Sequence, residues 1–75
     1  MPIVEFPLAA EYIEVNQLLK LSGVCDSGGA GKALVAQGLV TVDGQPESRK
    51  TAKIRAGQLV RCGDLQIRVV AGEAD

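Results

Sequence analysis

The spacing of hydrophobic residues in the first third of the chain predicts a short helix. Within residues 11–21, apolar side chains recur three and four positions apart, which places them on one face of a helix. The pattern predicts a first helix from about residue 15 to residue 21, with Asn16 as a capping residue near its start. Ser22 and Gly23 follow the last apolar position and are expected to end the helix, because glycine adopts the left-handed backbone of a C-terminal cap without strain.

A second helix is predicted over about residues 29–37, after a short connection in which Asp26 or Ser27 can cap it. Gly38 is expected just beyond its C-terminal end. The residues predicted to form its buried face lie at positions i, i+3, i+4 and i+7, with Lys32 and Val35 to one side. They are Ala30, Ala33, Leu34 and Gln37.

The remaining hydrophobic runs are short and separated by turn signals, which predicts strands. They cover residues 3–6, 39–42, 58–62 and 65–70. The first is expected at a sheet edge and to end at Pro7, because proline cannot donate a hydrogen bond to a neighbouring strand. Asp43 and Gly44 predict a hairpin turn with a short return strand. Together these elements predict an α+β domain in which a two-helix hairpin packs on one face of a small, mainly antiparallel sheet.

Size and composition narrow the class of protein. A chain of 75 residues is expected to form one small domain, residues 1–75, and its single Phe and single Tyr leave the core to aliphatic side chains. Cys25 and Cys62 are expected to be small apolar core residues rather than a disulfide, which favours the cytoplasm. No apolar run approaches the length of a membrane span, so no membrane association is expected.

The residue types present also argue against catalysis and metal binding. Histidine is absent, which removes the commonest general base and the commonest metal ligand. The two cysteines lack the spacing of a metal-binding pair. We therefore expect no metal site, no cofactor and no catalytic residues.

The segment 28–32 reads GGAGK and invites comparison with a phosphate-binding loop. A Walker A loop needs a glycine five residues before its Gly-Lys pair and a hydroxyl after it, but those positions hold Asp26 and Ala33. Nucleotide binding is therefore not expected. Two interpretations stay open: the glycines shape a tight turn between two helices, or the helix N-terminus contacts backbone phosphates of a larger nucleic acid.

Charge is distributed unevenly along the chain, although the formal net charge is only −1. Residues 1–48 hold two basic and six acidic residues, whereas residues 49–68 hold six basic residues and one acidic residue. Four of those six bases fall within residues 49–55, which we call the basic segment. Such asymmetry indicates an anionic partner, although a solvated surface strand gives the same pattern.

Three stretches in this order resemble the S4 domain, an RNA-binding module found in a ribosomal protein, pseudouridine synthases and a tyrosyl-transfer-RNA synthetase. The stretches read VNQLLKLSGV, DSGGAGKALVAQGLVTVDGQ and RKTAKIRAGQLV. The resemblance covers about residues 12–60 and looks closest to small bacterial proteins that consist of little more than an S4-like domain. It implies the S4-like (αL) fold.

The resemblance also implies where RNA would bind. Carried over to this chain, the RNA-binding residues are Ser27, Gly28, Lys32, Arg49, Lys50, Lys53 and Arg55. The chain departs from the family in having Glu14, Gln17, Gly31 and Asp43 where members often carry arginines or an asparagine, which weakens the expected binding. The two aromatic residues, Phe6 and Tyr12, are expected to lie outside this surface, so no base-stacking platform is predicted.

The sequence therefore predicts a non-catalytic, monomeric RNA-binding protein that recognises structured RNA, ribosomal RNA among the candidates. The alternative is a protein-interaction module that keeps the S4-like scaffold with little RNA affinity, and the acidic first half of the chain supports it. A small enzyme is the third and least supported class, because no catalytic constellation is found in these residues.

Overall fold

The structure, a computed structural model, describes residues 3–72. Two short helices connect and cover strands that form two sheets. In chain order the elements are β1 (Ile3–Leu8), β2 (Ile13–Glu14), α1 (Val15–Leu21), α2 (Gly28–Ala36), β3 (Val40–Val42), β4 (Gln45–Pro46), β5 (Lys53–Ile54), β6 (Leu59–Cys62) and β7 (Leu65–Ala71).

The larger sheet has five strands in the order β1-β7-β6-β3-β4. Only the β1–β7 pair is parallel; the other three pairs are antiparallel, so the expected mainly antiparallel sheet is confirmed. Its register puts Val40, Val60 and Ile67 on one face, and each is fully or almost fully buried. Arg61 and Arg68 alternate with them and are exposed.

The core is aliphatic, as predicted, and it lies between this inner sheet face and the helices. Val15, Leu18 and Leu19 come from α1, and Val35 comes from α2. The sheets contribute Leu8, Val40, Val42, Ile54, Val60, Ile67 and Val69. Burying branched aliphatic side chains is worth about 1.5–3 kcal/mol each, so this cluster is the main stabilising feature of the fold.

The predicted bounds of α1 are confirmed, and its predicted end at Ser22 and Gly23 is too, since Gly23 has φ of 83°. The capping role expected for Asn16 is wrong. Glu14 occupies the N-cap position without a side-chain cap bond, and Asn16 is 2% exposed with its Oδ1 unpaired. The backbone supplies a partner instead, because the N–H of Val15 donates to the carbonyl of Ala52 at 2.8 Å.

Helix α2 begins one residue earlier and ends one residue earlier than predicted. Ser27 is its N-cap, with the hydroxyl oxygen accepting the N–H of Ala30 at 3.1 Å, and Gly38 follows with φ of 76°. Its predicted buried face is correct only in part: Leu34 packs against the core and Ala30 is half-buried, but Ala33 and Gln37 are exposed. The fully buried positions are Gly31 and Val35.

Gly31 decides which way α2 faces. A Cβ on Gly31 would lie 2.7 Å from the carbonyl oxygen of Asn16, which real Cβ atoms do not tolerate. The two helices therefore cross with backbone almost touching backbone, and only glycine fits at that point. Val35, four residues along, is turned into the core by the same crossing.

The predicted strands are present, with ends displaced by one or two residues. Strand β1 continues past Pro7 to Leu8, because it is an edge strand paired only with β7 and proline is tolerated there. The predicted hairpin at Asp43 and Gly44 is confirmed: Val42 pairs with Gln45, and the two turn residues have φ of 52° and 85°. The small sheet formed by β2 and β5 was not predicted.

Candidate nucleic-acid interface

The basic segment is held in place by the two-stranded sheet. Strand β5 pairs antiparallel with β2, so that Ile13 lies opposite Ile54 and Glu14 lies opposite Lys53. Ala52 and Ile54 are buried, Ile54 to 1% exposure, whereas Lys53 and Arg55 between and beyond them are exposed. The alternation of a strand thus anchors the segment through its apolar residues and displays its bases to solvent.

The same pairing brings an aromatic ring to these bases. Extending the register by one residue places Tyr12 opposite Arg55, on the face that also carries Lys53. The Lys53 Nζ lies 4.9 Å from the centre of the Tyr12 ring, and the Arg55 Cζ lies 5.9 Å from it. We call these three residues the Tyr12 cluster. The expectation that both aromatic residues lie outside the basic surface is therefore wrong for Tyr12.

A signal for this contact was present in the sequence. Residues 52–55 alternate apolar and basic side chains, which is the pattern of a half-buried strand, and Ile13 lies in a short apolar stretch of its own. Strand pairing between segments 40 residues apart cannot be deduced from either pattern alone, because many partners satisfy the same alternation.

Two of the four bases in the basic segment have acidic partners. Arg55 Nη1 lies 3.5 Å from Glu11 Oε2, and Arg49 Nε lies 3.3 Å from Glu47 Oε2. Within residues 3–72, Lys50 and Lys53 form no ion pair. Both arginines stay more than half exposed, and an exposed pair such as Arg55–Glu11 is worth about 0–1 kcal/mol, so a phosphate can replace the Glu11 carboxylate at little cost. The Glu47 side chain is only 14% exposed and is held more firmly.

The Glu47 carboxylate is fixed by a hydrogen bond from the backbone. The backbone N–H of Arg49 donates to its carboxylate at 2.9 Å and lowers the pKa of Glu47 below the usual value, with a smaller contribution from the Arg49 side chain, while desolvation opposes the shift. Glu47 therefore stays ionised and fixes the start of the basic segment by holding the backbone of Arg49.

Three predicted site residues lie at the start of α2. Ser27 uses its hydroxyl oxygen to cap the helix, and Gly28 lies beside the side-chain amides of Asn16 and Gln17. Lys32 is exposed one turn further along. Of the predicted site residues, Lys53 and Arg55 are brought together by their shared contact with the Tyr12 ring.

Other potential sites were considered across the described residues. Cys25 and Cys62 are free thiols packed against the core, and burial raises the pKa of Cys62, with a further contribution from Cys25. No three His, Cys, Asp or Glu side chains in residues 3–72 are placed to hold a metal ion. Neither helix of this part of the chain is long and apolar enough to cross a membrane.

Comparison with known proteins agrees with the fold described above. The family model described as the S4 domain matches residues 6–70, a longer range than the 12–60 expected from the sequence. A relative from Escherichia coli (strain K12), named "Putative RNA-binding protein YbcJ", is 45% identical over 60 residues, which cover 80% of this chain and 86% of the relative. A protein from Shigella flexneri named YbcJ matches to the same extent.

A solved structure agrees with the sequence comparison. The solution structure of YbcJ from E. coli, described as revealing an αL motif involved in RNA binding, superimposes with a TM-score of 0.68 at 39% sequence identity. The match covers 95% of this chain and 89% of that chain. The arrangement of two helices on a mainly antiparallel sheet is therefore shared between the two proteins.

Proposed function

Because the chain belongs to the S4 domain family, we propose that it is a non-catalytic RNA-binding protein that recognises structured RNA, ribosomal RNA among the candidates. In this proposal residues 1–75 act as one S4 domain, in the cytoplasm and as a monomer. The membership confirms the resemblance and the α+β fold expected from the sequence. RNA binding as such is supported by the names given to its relatives.

The observation that carries the proposal is the exposure of two bases of the basic segment, Lys53 and Arg55, on a paired strand and directly after it. Ile54 and Ala52 are buried, and β5 pairs with β2, so the exposed Lys53 and Arg55 project from a supported backbone. Bases held in this way lose little backbone entropy when they contact phosphates. We assign phosphate contacts to Lys32, Arg49, Lys50, Lys53 and Arg55, with Ser27 and Gly28 at the loop that precedes α2.

A protein-interaction role is the second candidate, and a specific observation favours it. Glu11 and Glu47 already neutralise Arg55 and Arg49, so the local positive charge is smaller than the count of bases implies. An acidic or mixed-charge protein surface could use the same exposed cations. RNA is favoured because Lys50 and Lys53 form no ion pair within the described residues and the Arg55–Glu11 pair is exposed.

Salt dependence of binding to a stem-loop RNA tests the proposal. Each lysine or arginine that neutralises a phosphate contributes about −0.7 to the slope of log affinity against log salt on single strands, so the five assigned basic residues predict a slope of about −3.5 if all of them contact phosphates. Fluorescence anisotropy at several salt concentrations measures this slope. Lys50→Gln and Lys53→Gln are each expected to reduce it by about 0.7.

Arg68→Gln provides the matched control. It removes one positive charge from an exposed residue on β7, outside the predicted site, and this residue pairs with Glu5 at 3.6 Å as Arg55 pairs with Glu11. We expect its slope to equal that of the wild type. Absent or salt-insensitive binding would refute the RNA proposal and leave the protein-interaction role, and an equal loss in Arg68→Gln would show that net charge, not the basic segment, controls binding.

A further inference from the structure

The Tyr12 cluster combines a flat aromatic surface with two cations, so it can contact a nucleobase as well as phosphates. We propose that Tyr12 stacks on an unpaired base of the bound RNA, while Lys53 and Arg55 contact the phosphates on either side of that base. The inference rests on the proposed RNA-binding function and specifies its ligand: a loop or bulge of structured RNA rather than a continuous duplex.

The geometry supports stacking because the ring is both accessible and held in place. Tyr12 is 38% exposed, directly before β2, whose Ile13 lies opposite the buried Ile54. The backbone of Tyr12 is therefore adjacent to a paired strand, which restricts where the ring can lie. Two cations at 4.9 and 5.9 Å from its centre lie within one nucleotide's reach of any base that covers it.

The existing contacts do not block such a base. An exposed cation above an aromatic ring typically strengthens an interaction by about 2- to 5-fold. Stacking of one base on an aromatic side chain is typically worth about 5- to 150-fold in affinity. A base can therefore displace Lys53 from the ring, and the displaced ammonium is then free to pair with a neighbouring phosphate.

The charges around Tyr12 explain why its ring would add to the affinity for RNA. Glu11 pairs with Arg55, and Glu14 lies opposite Lys53 in the strand register without forming an ion pair with it, so two carboxylates lie near the two cations. Attraction of phosphates alone is weakened by this balance. An uncharged stacking surface adds affinity that neither carboxylate opposes.

An unpaired base is required because paired bases are not accessible to a ring. In an A-form duplex the base faces are covered by their neighbours, and proteins contact its backbone and minor groove. Bases in loops and bulges can be splayed out and stacked on aromatic side chains. The Tyr12 cluster thus distinguishes a stem with an unpaired loop from the stem alone.

Tyr12 provides its own spectroscopic probe. It is the only tyrosine of the chain, which has no tryptophan, so tyrosine emission reports on this ring alone. Two RNA hairpins with the same stem and the same number of phosphates are compared, one with an adenosine loop and one with an abasic loop. We expect the adenosine loop to quench the emission of Tyr12 and the abasic loop to leave it nearly unchanged, after correction for absorption by the RNA.

Two variants separate the ring from its hydroxyl. Tyr12→Leu keeps an apolar side chain but removes the aromatic face, and we expect it to weaken binding of the adenosine loop by about 5-fold or more. The same variant should bind the abasic loop within about 2-fold of the wild type, since the phosphate contacts remain. Tyr12→Phe should retain adenosine-loop affinity, because stacking needs the ring and not the hydroxyl.

The outcomes distinguish this inference from the function on which it rests. Equal, salt-dependent binding of both hairpins by wild type and Tyr12→Leu would overturn the stacking role and leave RNA binding intact. Failure of the wild type to bind either hairpin would overturn both. Circular dichroism checks that each variant keeps the fold. With the fold retained, a loss of affinity confined to the adenosine loop supports stacking.

Discussion

Replacing Gly31 by alanine tests the helix crossing on which the fold depends. The added Cβ would lie 2.7 Å from the carbonyl oxygen of Asn16, 3.1 Å from its Cα and 3.3 Å from its carbonyl carbon. All three are backbone atoms of α1, so no side chain can rotate away to make room. The helices must separate, and Val35 and Leu18 lose contact with the core as they do.

The expected cost follows from two opposing effects. Forcing an extra methyl group into a closely packed site typically costs about 1–3 kcal/mol, and a backbone obstacle falls at the upper end of that range. Alanine is favoured over glycine inside a helix by up to about 1 kcal/mol, which offsets part of the loss. We expect Gly31→Ala to lower the free energy of unfolding by about 1–2 kcal/mol, a melting temperature lower by roughly 4–16 °C at this size.

Gly29→Ala is the matched control on the same helix. The nearest atom to its Cβ would be Ser27 Oγ at 3.9 Å, an ordinary contact, and Gly29 is exposed. The helix preference then acts alone, so we expect no loss and a gain of up to about 1 kcal/mol. Urea unfolding followed by circular dichroism measures both variants. A Gly31→Ala protein as stable as the wild type would refute the close backbone crossing.

Substitutions at two further positions test local features of the fold. Asp43→Ala should lower the free energy of unfolding by about 1–2 kcal/mol, because Asp43 has φ of 52° and its Oδ1 accepts the N–H of Leu59 at 2.9 Å. Asp43→Asn should lose less, since asparagine tolerates this backbone and keeps an acceptor oxygen; equal losses in urea unfolding would contradict the reasoning. Glu47→Gln should reduce stability at neutral pH but not in acid. The folded-state pKa of Glu47 is lowered by Arg49, so its contribution is present above the ordinary glutamate pKa of about 4.3 and is lost as the pH falls through the folded value. A wild-type advantage that persists unchanged in strong acid would show that Glu47 acts through something other than its charge.

Local chemistry made several elements predictable from the sequence. Asp43 and Gly44 predict their turn because few residue pairs accept two successive positive φ angles. Gly38 ends α2 for a similar reason, and the bounds of α1 follow from the spacing of its leucines and valine. In each case the cause lies within a few residues of the effect.

Features set by packing between distant segments were predicted poorly. The buried face of α2 was misassigned in part because Ala33 and Val35 are both acceptable core residues, and only the contact of Gly31 with α1 selects Val35. Asn16 suits a cap by residue type, but the crossing helix buries it. Residue type alone does not say which neighbour is present.

The candidate site, too, was predicted in part from local sequence and in part only from the tertiary structure. The sequence by itself determined the aliphatic core, the α+β class, the S4 family and the cluster of bases at residues 49–55, because composition, periodicity and motif order are properties of the chain. Only the tertiary structure decided which of those bases share a surface. The pairing of β2 with β5 brings Tyr12 to Lys53 and Arg55 from a distant part of the chain, and it sets Glu11 against Arg55. These contacts depend on strand register and on the packing of Ile13 against Ile54, which the alternation of a short strand permits but does not specify.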